Sequence, residues 1–415
     1  MSPIILHLDM NSYFASVEQQ ANPFLRGKPL GVCAYLSENG CIIASSVEAK
    51  QRGVKTAMRV RDARRLCPEI LLVENEPAKY RSTTEKIFSI LDEYTDELEP
   101  YSIDEAFLNL TGWSKNFNQT RQLAESIRQR IKQEVGEWLR CSIGISYTRW
   151  LAKFASDITP PDSVKSISPE QLTTSLDEAS LLAAWGINYR LEARLKALGI
   201  HTLNQLRTYP VTNLRRALGI TGYYLWANVN GIQTERVHRH QSQQPKSIGH
   251  SYCLPRKTTD RNWLRGILHK LCERTGRRLR AKQLEADRIG AWLQFAEGGG
   301  MGRQCRVPER LFTTESIFKS ADRLLFTRPL ADRARFLAVN VSNLHPLSHQ
   351  RSLFQDELRP KRLSLALDTL NNKFGEFSVY PGVMWGTNDN AHDRVGYRKT
   401  VSVREMLEDV EYMSE

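Results

Sequence analysis

Three acidic residues in this sequence sit where acids are seldom placed. Asp9 ends the apolar run Ile4-Ile5-Leu6-His7-Leu8, and Asp104-Glu105 is flanked by Ile103 and Ala106-Phe107-Leu108. Such runs read as buried strands, so these carboxylates stand beside a core. A lone acid at a strand end is commonly solvated or caps a helix, but an adjacent pair inside an apolar strand needs another reason. Alternation sends Asp104 and Glu105 to opposite faces unless the strand bends between them. If Asp9 lies on a neighbouring strand, each like-charge contact at ~4 Å costs about 4 kcal/mol at an effective dielectric of 20. Protonation relieves that cost, and a divalent cation relieves it better. All-oxygen ligation selects Mg²⁺ or Mn²⁺ over zinc. A hard metal with a polyanionic partner points to phosphoryl transfer by a metal pair about 3.5–4 Å apart.

The surrounding pattern predicts the elements that hold these acids. Ile4–Leu8 is a strand, and Asn11 or Ser12 caps a helix carrying Tyr13, Phe14, Val17 and Glu18. Short strands at Leu30–Tyr35 and Cys41–Ser45 flank the turn Ser37-Glu38-Asn39-Gly40. Helices follow at Val47–Gly53, Arg59–Leu66 and Ser82–Tyr94, then a strand at Ser102–Leu110. A long amphipathic helix over Gln119–Leu139, a buried strand at Cys141–Ser146 and a helix at Leu151–Asp157 complete a small α+β sheet with helices on one face. From 166 to 235 the pattern is all helix, with glycine turns at Trp185–Arg190 and Leu218–Tyr223. Amides around Gly186, Asn188, Gly219 and Gly222 can hold a phosphate at a helix start, although a plain turn between helices accounts for either one alone. Arg236–Lys246 is polar and without period, a linker; 247–348 again mixes strands and helices, and the remainder is weakly patterned.

Composition narrows the partner. The chain has 415 residues, enough for about two to four domains. Its net charge is +12, unevenly spread: twelve Lys/Arg against sixteen Asp/Glu up to Leu110, and fifteen against six between Lys246 and Arg310. In Arg261–Arg280 the apolar residues Trp263, Leu264, Ile267, Leu268, Leu271 and Leu279 form one stripe. Its basic residues lie largely off that stripe, which predicts a cationic outer face bearing Arg274, Arg277 and Arg278 for a phosphate backbone. Seven scattered cysteines without a C-x-x-C pair argue against a disulfide framework or zinc site and favour a reducing cytoplasm. A mean hydropathy of −0.45 and the lack of a long apolar run argue against a membrane.

Several segments together resemble the Y-family translesion DNA polymerases, of the bacterial polymerase IV and polymerase V catalytic-subunit types. They are Leu8-Asp9-Met10-Asn11-Ser12-Tyr13-Phe14-Ala15-Ser16-Val17-Glu18, Tyr101-Ser102-Ile103-Asp104-Glu105-Ala106-Phe107, Ser142-Ile143-Gly144-Ile145-Ser146 and Leu151-Ala152-Lys153-Phe154-Ala155-Ser156-Asp157. The resemblance runs in order from about Ile4 to Phe354. It implies an α+β multidomain right hand: palm over 1–20 and 78–165, fingers over 21–77, helical thumb over 166–235, linker over 236–246, little finger over 247–348 and a tail over 349–415. It implies a DNA-directed DNA polymerase that extends a primer by two-metal phosphoryl transfer across damaged template during repair. Asp9, Asp104 and Glu105, with the carbonyl of Met10, would hold two Mg²⁺ ions, for which Mn²⁺ can substitute. Phe14 would be the steric gate against a 2′-hydroxyl, and Tyr13, Phe14, Lys50 and Lys153 would meet the dNTP. Primer-template DNA would lie on Gly186, Asn188, Gly219, Gly222, Lys246, Arg274, Arg277 and Arg278.

Four positions depart from that pattern. Val47 stands where many members have Tyr, Lys50 where many have Arg, Pro160 where a Lys is usual, and Asn11 where polymerase IV types have Asp. A lysine offers a point charge instead of a bidentate fork, so weaker or differently aimed triphosphate binding is expected, with Lys165 a substitute for the missing lysine. Gln350-Arg351-Ser352-Leu353-Phe354 resembles the peptide that docks bacterial polymerases on the sliding clamp, through Gln350, Leu353 and Phe354; accessory damage-response subunits are further expected partners. Two other readings stay open at this level: a non-catalytic, clamp-binding scaffold of the damage response, and a nucleotide cyclase on a similar sheet.

Overall fold

A computed structural model describes residues 3–238, 245–347, 355–387 and 389–391. Chain contacts divide them into two units, the first made from 3–36 and 41–238, the second from 37–40 and 245–391.

In the first unit the apolar run at the N-terminus becomes the middle strand of a five-stranded sheet. β1 (Ile5–Met10) lies between β6 (Glu105–Asn109) and β7 (Cys141–Ser146), antiparallel to both. β5 (Leu98–Pro100) flanks β6, and β8 (Val164–Ile167) runs parallel to β7. Leu6, Leu8, Ala106 and Leu108 share one core with α1 (Tyr13–Ala21), α4 (Pro77–Asp92) and α5 (Phe117–Arg130). Ile5 and Phe107 point the other way and meet Ala152 of α6 (Arg149–Ile158). Helices therefore cover both faces, where the sequence pattern predicted one. The cause is Gly144, at which an added Cβ would stand 2.0 Å from the Ala152 carbonyl, so α6 lies directly on β7. The predicted long helix at 119–139 ends early: α5 passes into a π turn at Ile131–Val135.

A smaller sheet of β2 (Leu30–Cys33), β3 (Ile42–Ser45) and β4 (Leu71–Glu74) packs with α2 (Val47–Gln51) and α3 (Val60–Leu66) around Ile42, Ala49, Val60, Ala63 and Cys67. The helical run predicted from 166 starts only after β8. It comprises α7 (Leu172–Asp177), α8 (Tyr189–Ala197), α9 (Leu203–Thr208), α10 (Val211–Leu218) and α11 (Ile220–Val229).

The second unit is a four-stranded antiparallel sheet in the order β11 (Gly300–Leu311), β10 (Leu284–Phe295), β12 (Ala334–Pro346), β9 (Ser247–Thr258). α12 (Arg261–Ala281) and α13 (Thr314–Phe326) cover one face. The region that looked weakly patterned contains a helix of 20 residues, α14 (Gln355–Phe374), continuing into a segment that packs on α12.

Candidate active site

The register of β1 against β6 decides what the acids can do. Asp9 pairs directly with Glu105, so their side chains project from one face of the sheet, the face covered by α6. Asp104 precedes the strand, in a bend over 102–104 whose Asp104 carbonyl accepts the Met10 amide at 3.0 Å. That bend supplies the irregularity alternation required. All three acids line one open cleft of about 830 Å³, together with Met10, Asn11, Ser12, Tyr13, Phe14, Val47, Lys50 and Lys153.

The acids are not equivalent. Burial, then the charges of Glu105 and Asp104, holds the Asp9 carboxyl well above the usual carboxylate range. Burial also raises Asp104, to about 6, although the Ser102 hydroxyl donates to it at 2.5 Å. Burial would raise Glu105 as well, but His7 and Lys153 outweigh it and bring the carboxyl down to about 2. Lys153 Nζ donates to Glu105 at 3.1 Å and stands 3.5 Å from Asp157. Burial alone would lower that ammonium; the carboxylates of Glu105, Asp157 and Asp9 hold it above its usual value. Lys50, drawn toward Asp9 and Asp104, is nevertheless lowered by burial.

Three hard carboxylates suit a divalent cation in donor chemistry, and their mutual repulsion is the term such an ion would remove. The site is not a ready-made cage: among the described residues no group of three or more His, Cys, Asp or Glu stands in position to hold a metal. Glu105 is instead ion-paired with Lys153 at 3.1 Å.

α1 begins at the cleft in an unusual way. Ser12, its first flanking residue, is left-handed at φ 52°, makes no side-chain cap, and has a buried hydroxyl without a hydrogen-bond partner among the described residues. The opening turn that carries Tyr13 and Phe14 thus lacks the side-chain cap expected from Asn11 or Ser12. Asn11 is occupied elsewhere: its amide donates to Ser142 Oγ at 2.9 Å and accepts the Asp162 amide at 2.8 Å. An Asp could keep the first of these contacts only as the acceptor, with the Ser142 hydroxyl turned away from the Pro160 carbonyl. Phe14 is buried and lines the cleft, its ring stacked on Tyr80 at 4.5 Å. Lys165 does not replace the missing lysine, because it pairs with Glu178 at 3.3 Å and does not line the cleft; Pro161 does.

Sequence reasoning passed over His7, two residues before Asp9 and hence on the same face. It is fully buried, bonded to Ser156 Oγ at 2.7 Å and 3.7 Å from Glu105. Burial brings it down to about 4, so it is neutral at physiological pH. A period of two from Asp9 is the signal that finds it.

The expected nucleic-acid residues fare unevenly. Gly186 (φ 98°) and Gly219 (φ 67°) are turn residues, as the pattern required. Asn188, however, caps α8 with its own side chain, accepting the Arg190 and Leu191 amides. Gly222 lies inside α11, not in the turn. Its amide bonds to the Gly219 carbonyl at 3.1 Å, and an added Cβ would stand 2.4 Å from the Leu214 carbonyl, so helix packing explains it. Lys246 is exposed. The cationic outer face of α12 is not found: Arg274 is buried and bonded to Glu376 at 2.5 and 2.8 Å, and Arg277 donates to Asn372 at 2.6 Å. Arg278 is half-buried. The chain after 355 covers that face with its own acceptors, which the stripe of α12 alone could not reveal. Gln350, Leu353 and Phe354 lie outside the described residues.

The chain is similar to known proteins along most of its length. Residues 8–157 match the impB/mucB/samB family model, and 245–354 match that family's C-terminal domain. DNA polymerase IV 1 of Bacillus subtilis (strain 168) is 32% identical over 387 residues, covering 92% of this chain and 93% of that protein. DNA polymerase IV of Moorella thermoacetica is 33% identical over 383 residues, covering 91% and 95%. A solved Y-family DNA polymerase chimera superposes with a TM-score of 0.73 at 25% identity, covering 83% of this chain and 99% of that one.

Proposed function

The chain belongs to the impB/mucB/samB family of Y-family DNA polymerases, and from that premise we propose how its cleft works. It is a template-directed DNA polymerase of the translesion class, extending a primer with nucleotides by phosphoryl transfer. The reading of a non-catalytic scaffold is not favoured, since the relatives are polymerases and all three acids face one cleft. Among the described residues no helix is long and apolar enough to cross a membrane.

One observation carries the mechanism: the pairing of Asp9 with Glu105, with Asp104 in the bend beside them. Asp9, Asp104, Glu105 and the Met10 carbonyl would hold the divalent cations that enzymes of this kind use, here two Mg²⁺ ions, once Glu105 leaves Lys153. Bound there, such cations would supply Lewis acidity toward the primer 3′-hydroxyl and positive charge toward the triphosphate. Lys153, released from Glu105, turns its ammonium to the phosphates, and Lys50 approaches them from α2. The uncapped start of α1 offers the Tyr13 and Phe14 amides to the triphosphate. Phe14, braced by Tyr80, lies beneath the sugar and excludes a 2′-hydroxyl by contact.

In this reading the five-stranded sheet is the palm, the three-stranded sheet the fingers, α7–α11 the thumb and the second unit the little finger. Gln350, Leu353 and Phe354 tether the enzyme to a sliding clamp, raising its concentration on DNA. Primer extension tests the whole. With Mg²⁺ and single dNTPs the wild type adds nucleotides and Asp104→Ala does not; equal inertness of both on intact and damaged templates would sink the reading.

A further inference from the structure

Two buried residues behind the acids, His7 and Ser156, form a pair that the phosphate chemistry leaves unused. His7 stands between Phe107 on β6 and Gly144 on β7 and is fully buried. Its ring leans on Phe107, 4.3 Å between centroids. The missing side chain at Gly144 lets α6 close in: an added Cβ there would stand 2.4 Å from the Ser156 amide. Ser156 Oγ thereby comes within 2.7 Å of His7 Nδ1. The other ring nitrogen, Nε2, stops 3.7 Å short of Glu105 Oε2 and has no hydrogen-bond partner among the described residues. A buried polar atom without a partner costs free energy, so it needs a reason.

Counting protons supplies one. Ser156 Oγ lies 2.7 Å from the Lys153 carbonyl as well as from Nδ1, and a hydroxyl has one proton to give. Given to the carbonyl, that proton leaves Nδ1 as the donor to Oγ, and the neutral ring then carries none on Nε2. A bare nitrogen does not bond a carboxylate, and a gap of 3.7 Å is what that assignment requires. Glu105 is meanwhile held by Lys153, whose Nζ donates to the same Oε2 at 3.1 Å. Lys153 therefore touches both ends of the chain Lys153–Ser156–His7–Glu105, by its carbonyl and by its ammonium.

We propose that His7 is a positioning residue for Glu105, taking the carboxylate by Nε2–H donation when Lys153 turns to the phosphates. The ring changes tautomer: a proton leaves Nδ1, one arrives at Nε2, and the imidazole stays neutral. The Ser156 hydroxyl turns from the Lys153 carbonyl to Nδ1. A neutral donor behind Glu105 fixes its direction without cancelling its charge, as an outer hydrogen-bond partner does for a metal ligand. The proposal deepens the polymerase reading and rests on it for what draws Lys153 away.

The test is ¹⁵N NMR of the full chain with labelled histidine, free of metal and DNA, with His7→Gln identifying the signal by its loss. The wild type is expected with the proton on Nδ1. Lys153→Met, which removes the ammonium and keeps its bulk, is expected with the proton on Nε2. Single-turnover dNTP addition gives a second arm, because a Gln amide nitrogen takes the place of Nε2 and an Asn amide nitrogen that of Nδ1. His7→Gln keeps most of the rate, and His7→Asn loses about 10–100-fold, the range for an outer partner of a ligand. One tautomer shared by the wild type and Lys153→Met, or equal losses in the Gln and Asn variants, overturns the proposal; if the Asn variant does not fold, the NMR pair decides alone. The NMR comparison needs no catalysis, so its failure rejects the His7 role alone, whereas a wild type inert in primer extension rejects the polymerase reading.

Discussion

Buried charge is handled in opposite ways at the acid cleft of the first unit and along α12 of the second. In the first, Glu105 and Asp104 both raise Asp9, and of these three acids only Glu105 is ion-paired with a lysine among the described residues. In the second, three arginines of α12 are matched by carboxylates: Arg265 with Asp322 at 2.6 Å, Arg274 with Glu376 at 2.5 Å, Arg280 with Asp368 at 2.5 Å. A buried charge that has its partner holds the fold together, whereas like charges left facing one another await something from outside. Composition cannot tell these apart, since it counts charges and not their pairing.

The contrast breaks most readily at the acids. Asp9→Ala and Asp104→Ala are each expected to slow nucleotide addition on the order of 10³-fold or more, with no fall in melting temperature at neutral pH. The reverse pattern belongs to α12. Asp368→Ala strands Arg280, whose side chain is 1% exposed, and is expected to destabilise the second unit by about 3–5 kcal/mol in chemical denaturation. If both substitutions acted alike, the distinction between the two regions would be empty.

The Phe14 gate is a smaller effect. Phe14→Ala is expected to narrow the dNTP-over-rNTP preference by about 10–200-fold, equivalent to about 1–3 kcal/mol, read as a ratio of kcat/KM values; an unchanged ratio removes the gate.

Proton linkage sharpens the comparison further. Asp104 titrates near 6, above its ordinary 3.8, so the proton stabilises the folded state. That stability is whole below about 3.8 and is lost as pH rises through 6. Asp104→Asn should therefore melt higher than wild type at pH 7.5, by about 1 kcal/mol after allowing for partial exposure, and lose that advantage by pH 4. Mg²⁺ should raise the melting temperature of the wild type more than that of the variant. Glu105 runs the other way: lowered to about 2, it contributes stability above pH 4.5 that is lost as pH falls through 2. Asn11→Asp, which removes the donor to Ser142, is the mildest change, about 1 kcal/mol by thermal melting.

Much of the first unit was legible because its signals are local. Ile4–Leu8 announces a buried strand, the acids interrupt apolar runs, and Gly186 and Gly219 mark turns. What could not be read depends on contacts distant in sequence. Gly144 gave no sign that α6 would lie against it. Asn11 counted as a departure from a family pattern, yet its amide joins Ser142 to Asp162. The stripe on α12 is apolar as its period predicts, but its other side meets Asp368 of α14 and Glu376 beyond it, and α14 carries too weak a pattern to show this in the sequence. His7 gives a weaker signal: inside an apolar run a single histidine reads as core, and only its period of two from Asp9 ties it to the site.

The claim on which the account stands is that the Asp9, Asp104 and Glu105 carboxylates act together at the reacting phosphate. Single-turnover addition of one correct dNTP, at saturating primer-template and increasing Mg²⁺, addresses it in Asp9→Asn, Asp104→Asn and Glu105→Gln. The account predicts that each variant binds primer-template as the wild type does and loses nearly all of its addition rate at every Mg²⁺ concentration. A variant that adds nucleotides at the wild-type rate would contradict it.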